Sequence, residues 1–176
     1  MKISRLSFAL LLLFAGPLSA EDAKDLFAAA AAGRFERVQA LLAQGLDVNG
    51  KIEPDRTALM AASFNGNTRI VKLLLGYGAD VNLADKLGST ALTDAVMFGS
   101  ADVVNVLIAA GANVNAADSQ GVKILDKAKK LGRDHIVKLL EAAGAKASEA
   151  KAEENTESKP AGEEKPAEAA KEETKP

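Results

Sequence analysis

The sequence predicts an all-α solenoid in which four similar helix–turn–helix units stack side by side. Two observations support this fold class. Glycines recur with a period of about 33 residues in two columns, at Gly33, Gly66, Gly99 and Gly132 and at Gly45, Gly78, Gly111 and Gly144. Apolar residues keep the same register, as at Leu26, Leu59, Leu92 and Leu125. An ungapped period of this length is the signature of stacked supersecondary units.

Composition excludes several classes of site. The 176 residues include no cysteine and one histidine, so disulfides, thiolate metal sites, cysteine nucleophiles, lipidation of an N-terminal cysteine and multi-histidine metal sites are all ruled out. The formal charge of −2 is unlike that of a general nucleic-acid binder, which is usually strongly basic. We therefore expect no catalytic residue, no cofactor, no metal and no nucleic-acid partner.

Residues 1–20 are typical of a cleaved signal peptide. Lys2 and Arg5 precede an apolar run from Phe8 to Ala15, and a small residue, Ala20, precedes the charged residue Glu21. The run is too short to cross a bilayer, which needs about twenty apolar residues. In a bacterium, export without a lipidatable cysteine predicts a soluble periplasmic or secreted protein with no membrane span, and we expect the periplasm.

The last segment, residues 149–176, is predicted to be a disordered tail. It holds nine Glu, five Lys and three Pro and lacks any Val, Ile, Leu or aromatic residue, so it cannot bury enough apolar surface to offset the entropy of ordering. The tail contributes −4 to the charge, and the repeat domain, residues 21–148, sums to zero. We divide that domain into units of about 21–50, 51–83, 84–116 and 117–148.

Each unit is predicted to contain two short antiparallel helices and an extended turn. In the second unit a helix over Thr57 to Asn65 stops at Gly66, and a second runs from Thr68 to Gly76. Residues 78–82 then lead out into a short β-hairpin-like turn. Neither helix can bury its apolar stripe alone, so stacking of neighbouring units supplies the core.

These units resemble the ankyrin repeat. The segments Thr57–Ala62 (TALMAA) and Thr90–Ala95 (TALTDA) are similar to its T-P-L-H-x-A pattern, and IVKLLL followed by GADVN, ending at Asn82, is close to its consensus. The sequence departs from the pattern at the proline and histidine positions. The resemblance covers residues 21–147 and implies an all-α ankyrin solenoid of four repeats. The charged fourth repeat and the first repeat, which lacks a preceding turn, are interpreted as its C-terminal and N-terminal caps.

Two residues are candidates for chemistry. His135 lies beside Arg133 and Asp134 with no discernible nucleophile and is interpreted as a surface residue. Asp94 stands where Ala61 stands one repeat earlier; it is either a functional hydrogen-bond acceptor or a structural partner of Lys127 or of a backbone donor. Three asparagines are predicted at turn positions that tolerate positive φ, namely Asn49, Asn82 and Asn115.

The resemblance implies that the columns just before each helix-ending glycine line a concave, partner-binding groove. Large apolar residues in these columns would form an apolar binding patch, with Tyr77 and the hairpin tips as its rim. Alternatively, Phe64 and Phe98 fold back between neighbouring helices. The candidate protein-binding residues are Phe64, Asn65, Met97, Phe98, Leu131, Tyr77, Leu87, Lys86 and Arg56.

Resemblance to small exported bacterial ankyrin proteins implies a non-enzymatic, monomeric binding module with one periplasmic protein partner. The partner would be a lytic enzyme or toxin that the module inhibits or protects against. A periplasmic catalase supported in peroxide defence is the alternative, and a structural scaffold is a further one. The fold alone does not decide between these roles.

Overall fold

A computed structural model describes residues 20–148 of the chain. The predicted signal peptide, except for Ala20, and the predicted tail lie outside the described residues. The described part confirms the all-α solenoid: four helix pairs follow one another with short hairpins between them. The elements in chain order are α1 (Ala20–Ala31), α2 (Phe35–Ala43), β1 (Lys51–Ile52), β2 (Arg56–Thr57), α3 (Ala58–Phe64), α4 (Thr68–Gly76), α5 (Ala91–Phe98), α6 (Ala101–Ala109), α7 (Ile124–Lys130) and α8 (Asp134–Ala142).

The helices form two layers. The first helices of the units, α1, α3, α5 and α7, pack against one another in order, and the second helices, α2, α4, α6 and α8, do the same. The core lies between the layers, where the repeated apolar columns are buried. Val71, Leu74, Val104 and Leu107 are completely inaccessible to solvent. Each repeat therefore completes the core of its neighbour, as a solenoid requires.

Helix boundaries follow local capping chemistry. Thr57 is the N-cap of α3 and its side chain accepts a hydrogen bond from the Met60 amide at 3.3 Å. Thr90 caps α5 in the same way and forms a reciprocal capping box with Thr93. Thr57 and Asn65, the limits predicted for the first helix of the second repeat, are the N-cap and C-cap of α3. The second helix of that repeat, α4, spans Thr68–Gly76 as predicted. Gly66 follows α3 with φ of +68°, a conformation that favours glycine.

The hairpins between the repeats form a continuous row. β1 and β2 pair antiparallel, with Lys51 opposite Thr57. Neighbouring hairpin tips are joined by backbone hydrogen bonds: the Lys86 amide donates to the Pro54 carbonyl at 3.2 Å and the Ser119 amide to the Leu87 carbonyl at 3.0 Å. The tips of the last three repeats are thus held in register.

Asn49, Asn82 and Asn115 lie in turns, as predicted, but none of them adopts the positive φ that such positions tolerate. Among the non-glycine residues from 20 to 148, positive φ occurs only at Asp55. The asparagine side chains instead bridge repeats. Asn82 Nδ2 donates to the Gly111 carbonyl at 3.2 Å, and its Oδ1 accepts from the Asn113 amide at 2.8 Å. Because an amide can donate and accept together, one side chain satisfies two backbone groups of the next repeat.

Both ends of the stack carry charged side chains. In the first repeat Asp25 and Arg37 form an ion pair at 3.4 Å, at columns that the second repeat fills with the buried residues Ala58 and Ile70. In the fourth repeat Lys129 pairs with Glu141 at 3.1 Å. Polar outer faces of this kind are what terminal repeats need for solubility, and they support the interpretation of both repeats as caps.

Candidate protein-binding surface

Four large apolar side chains stand exposed at the carboxyl ends of the first helices. We call them the first-helix patch: Phe64 (46% exposed), Met97 (46%), Phe98 (50%) and Leu131 (47%). Phe64 ends α3, Met97 and Phe98 end α5, and Leu131 caps α7. Since these three helices are neighbours in one layer, the patch extends over three successive repeats.

Phe98 links the patch to the repeat before it. A Cβ atom placed on Gly66 would overlap the Phe98 ring, so the ring lies directly on the backbone turn between α3 and α4. Half of the side chain nevertheless remains exposed. Phe98 therefore contacts the turn of the preceding repeat and still presents an aromatic surface to solvent.

Two polar side chains hold the patch in place. Arg133 lies over Gly99 and its Nη2 donates to the Met97 carbonyl at 3.2 Å and to the Phe98 carbonyl at 3.4 Å. Asn65 Nδ2 donates to the Ala31 carbonyl at 3.1 Å and to the Ala61 carbonyl at 3.0 Å. Each side chain reaches from its own repeat to the preceding one, so the patch is fixed by contacts that do not need a partner.

The predicted rim residues lie in two places. Leu87 is 63% exposed at a hairpin tip, and Lys86 next to it forms an ion pair with Glu53. Tyr77 is the C-cap of α4, a helix of the other layer. Because α3 and α4 are antiparallel, the end of α4 lies a helix length away from Phe64. The structure therefore does not bring Tyr77 together with the patch.

Arg56 takes part in a buried ionic cluster. Its guanidinium donates from Nη2 to Asp94 Oδ2 at 2.8 Å and from Nη1 to Asp85 Oδ2 at 3.3 Å. Both carboxyl side chains are only 4% exposed, and that of Arg56 is 22% exposed. Burial raises the pKa of Asp94 to about 6, although the charge and hydrogen bond of Arg56 oppose this shift. Sequence reasoning placed Arg56 on the binding surface, whereas its charged group is directed at these two carboxylates.

The partner of Asp94 differs from those that the sequence suggested, which were Lys127, in the same column one repeat later, or a backbone donor. Lys127 pairs instead with Asp118, with Nζ 2.8 Å from Oδ2, and Arg56 comes from the hairpin of the preceding repeat.

The role of Arg133 in the patch was also missed. The available signal was its position directly after Gly132. Asn67 directly follows Gly66 in the same manner, and it lies over Gly33 of the preceding repeat as Arg133 lies over Gly99.

His135 is exposed near the start of α8. Within residues 20–148 no group of three His, Asp or Glu side chains is arranged to hold a metal ion. No helix in this part of the chain is long and apolar enough to cross a membrane.

A family model described as ankyrin repeats, with 3 copies, matches residues 26–118. The chain belongs to the ankyrin-repeat family. Ankyrin repeats mediate protein–protein interaction, and proteins built from them are generally non-enzymatic binding modules. No curated protein matches the chain. In this ankyrin-repeat protein the exposed first-helix patch is the surface whose chemistry best fits that family role.

Proposed function

We propose that this protein is an exported, non-enzymatic binding module that acts on a periplasmic enzyme, either as an inhibitor or as an immunity factor that protects the producing cell. The first-helix patch is the observation that supports binding. Aromatic residues and Met are enriched in interface cores, and a contiguous exposed apolar patch is a recurrent mark of a protein-binding site. The signal-like pattern of residues 1–20 supports export to the periplasm.

The way in which the patch is held also favours binding. Phe98 rests on the turn at Gly66, and Arg133 fixes the carbonyl groups of Met97 and Phe98. Side chains that are already ordered lose less conformational entropy when a partner covers them. Ordered apolar side chains can therefore bind a partner with useful affinity even where the contact area is small.

The test is capture of the partner by matched variants. The purified protein, Phe64→Ala and Phe98→Ala are each used to capture proteins from periplasmic extract, and bound proteins are identified by mass spectrometry. If the two rings are anchors, each substitution weakens binding of the specific partner by about 2 kcal/mol or more. Because the rings are half-exposed, each should lower the free energy of unfolding by less than the roughly 3–5 kcal/mol typical of a buried Phe→Ala change.

Tyr77→Ala provides a comparison, because Tyr77 has the same exposed fraction as Phe64, 46%, but lies outside the patch. We expect it to weaken binding less than either Phe substitution. Equal binding by the wild type, Phe64→Ala and Phe98→Ala would refute the proposal. A large loss of stability in both Phe variants would place the rings in the core and would likewise contradict it.

The activity of the captured enzyme then separates the two roles. Inhibition of a lytic enzyme or toxin by the wild type, with activity restored by Phe98→Ala, supports the inhibitor or immunity role. Capture of a catalase whose activity is maintained in the complex would instead support the accessory role in peroxide defence.

A further inference from the structure

Lys130 places a positive charge next to the first-helix patch. Phe64, Met97 and Lys130 occupy the same column of the repeat on three successive first helices. Packed helices lie about 8–10 Å apart. The surface along the stack therefore presents an aromatic ring, a thioether and an ammonium group at roughly regular intervals.

The fourth repeat concentrates positive charge. Residues 117–148 contain seven Lys or Arg and four Asp or Glu, a net charge of +3, whereas residues 84–116 contain one Lys and three Asp, a net charge of −2. Asp85 and Asp94 of the third repeat are buried and paired with Arg56, so they add little charge to the surface beside the patch. The patch therefore runs from an uncharged stretch of the third repeat onto a basic fourth repeat, and a partner with an acidic group at one end only would match it.

Of the four cations closest in sequence to Leu131, two are neutralised by carboxylates of the described chain and two are not. Lys127 pairs with Asp118 and Lys129 pairs with Glu141. For Lys130, which is exposed, and for Arg133, no carboxylate among residues 20–148 lies within ion-pair distance. Arg133 Nη2 donates to two carbonyl groups, which do not neutralise its charge, and its buried Nε has no hydrogen-bond partner among residues 20–148.

We propose that the partner presents an apolar–acidic segment: apolar anchors that cover Phe64, Met97 and Phe98, followed about one repeat spacing later by a carboxylate that pairs with Lys130. This inference rests on the proposed function and adds the chemistry and the direction of the bound segment. The carboxylate lies at the fourth-repeat end, so the segment can bind in one orientation only. Charge complementarity of this kind fixes register more than it raises affinity.

The chain's own acidic segment, residues 149–176, is the competing occupant. It has nine glutamates but no apolar residue larger than alanine apart from proline. It can offer a carboxylate to Lys130 but nothing to cover the aromatic rings, which makes it a poorer match than a partner that supplies both. A version of the protein that ends at Ser148 distinguishes the two.

The experiment is selection from a randomised peptide library on the purified protein. We expect the recovered peptides to contain apolar residues followed by Asp or Glu. The most enriched peptide is then synthesised with its acidic residue and with the matching amide, and both are titrated against wild type, Lys130→Gln and Lys72→Gln. Lys72 is exposed on α4, in the other layer, so it provides the same change of charge away from the patch.

The expected result is that the acidic peptide binds wild type and Lys72→Gln about two- to fivefold more tightly than the amide peptide, as for an exposed charge pair at an interface rim. Lys130→Gln should abolish this difference. Apolar peptides without any acidic preference would overturn the inference and leave the proposed function intact. Recovery of no peptides, or of peptides that bind Phe98→Ala equally well, would overturn both. Peptides that bind only the protein ending at Ser148 would show that the tail occupies Lys130, and would also overturn the inference.

Discussion

Arg56 Nη2 lies 2.8 Å from Asp94 Oδ2 and joins the hairpin of the second repeat to the first helix of the third. Asp85, from the hairpin of the third repeat, lies 3.3 Å from Arg56 Nη1. One partly buried cation therefore faces two buried carboxylates. The attraction between them does not fully offset the loss of hydration, which is why burial keeps the pKa of Asp94 raised.

The first prediction concerns the pH dependence of stability. Because the pKa of Asp94 rises from 3.8 to about 6 on folding, the native state binds more protons than the unfolded state between these values. The contribution of protonated Asp94 to the free energy of unfolding is complete below pH 3.8 and is lost as the pH rises through about 6. Asp94→Asn should therefore be more stable than wild type at about pH 7.5, by up to roughly 3 kcal/mol, with little difference near pH 4.

Urea denaturation across this pH range measures the effect. Asp102→Asn is the control, because Asp102 is exposed on α6 of the same repeat. A lower stability of Asp94→Asn at neutral pH would show that the ion pair with Arg56 outweighs the cost of burial. The opposite trend is expected at more acidic pH from Asp118, whose pKa is lowered chiefly by the hydrogen bond from Lys127.

The second prediction concerns Arg56. Arg56→Met should lower the free energy of unfolding by about 3 kcal/mol or more at neutral pH, because Asp85 and Asp94 lose their shared cation. The loss should be smaller near pH 5, where Asp94 is mostly protonated. Adding Asp94→Ala, which restores the residue type found at Ala61, should recover much of the stability. Additive losses in the double variant would show that the two residues are not coupled.

The third prediction compares two glycines. Gly66→Ala introduces a Cβ that overlaps the Phe98 ring, whereas Gly78→Ala, with φ of +86°, meets nothing within 4 Å. Backbone strain should cost about 1–2 kcal/mol at either position, and the clash should add about 1–3 kcal/mol at Gly66 alone. Chemical denaturation of both variants and of Gly66→Ala combined with Phe98→Ala tests this. In the double variant the ring is absent, so Gly66→Ala should lower the free energy of unfolding only by the cost of backbone strain. Equal effects of the two single glycine substitutions would contradict the observed packing.

The fourth prediction concerns the C-terminal cap. Val104 and Leu107 are fully buried, and removal of residues 117–176 should expose this end of the core and cause aggregation or unfolding. Removal of residues 149–176 alone should leave the melting temperature nearly unchanged, because that segment has almost no apolar surface to bury. Circular dichroism melts and size-exclusion chromatography report both. A soluble, cooperative fragment ending at Ala116 would contradict the cap assignment, and a drop of several degrees on tail removal would show that the tail packs on the repeats.

Periodicity by itself determined the architecture of this protein. The columns that contain Leu26 and Gly33 locate the helices and their ends, because a helix pair that recurs at a constant spacing can bury its apolar stripe only against a copy of itself. The positions of Phe64, Met97, Phe98 and Leu131 before the helix-ending turns also followed from the register, and their exposure agrees with that placement.

Tertiary structure alone decided which side chains meet across repeats. The pairing of Arg56 with Asp94, the contact of Phe98 with Gly66 and the bridging by Asn82 all join one repeat to the next. A repeat pattern aligns equivalent positions, but these contacts join different columns. They depend on the rotation between repeats and on side-chain conformation. Only the folded stack brings the guanidinium of Arg56 within reach of the buried carboxylates with which it pairs.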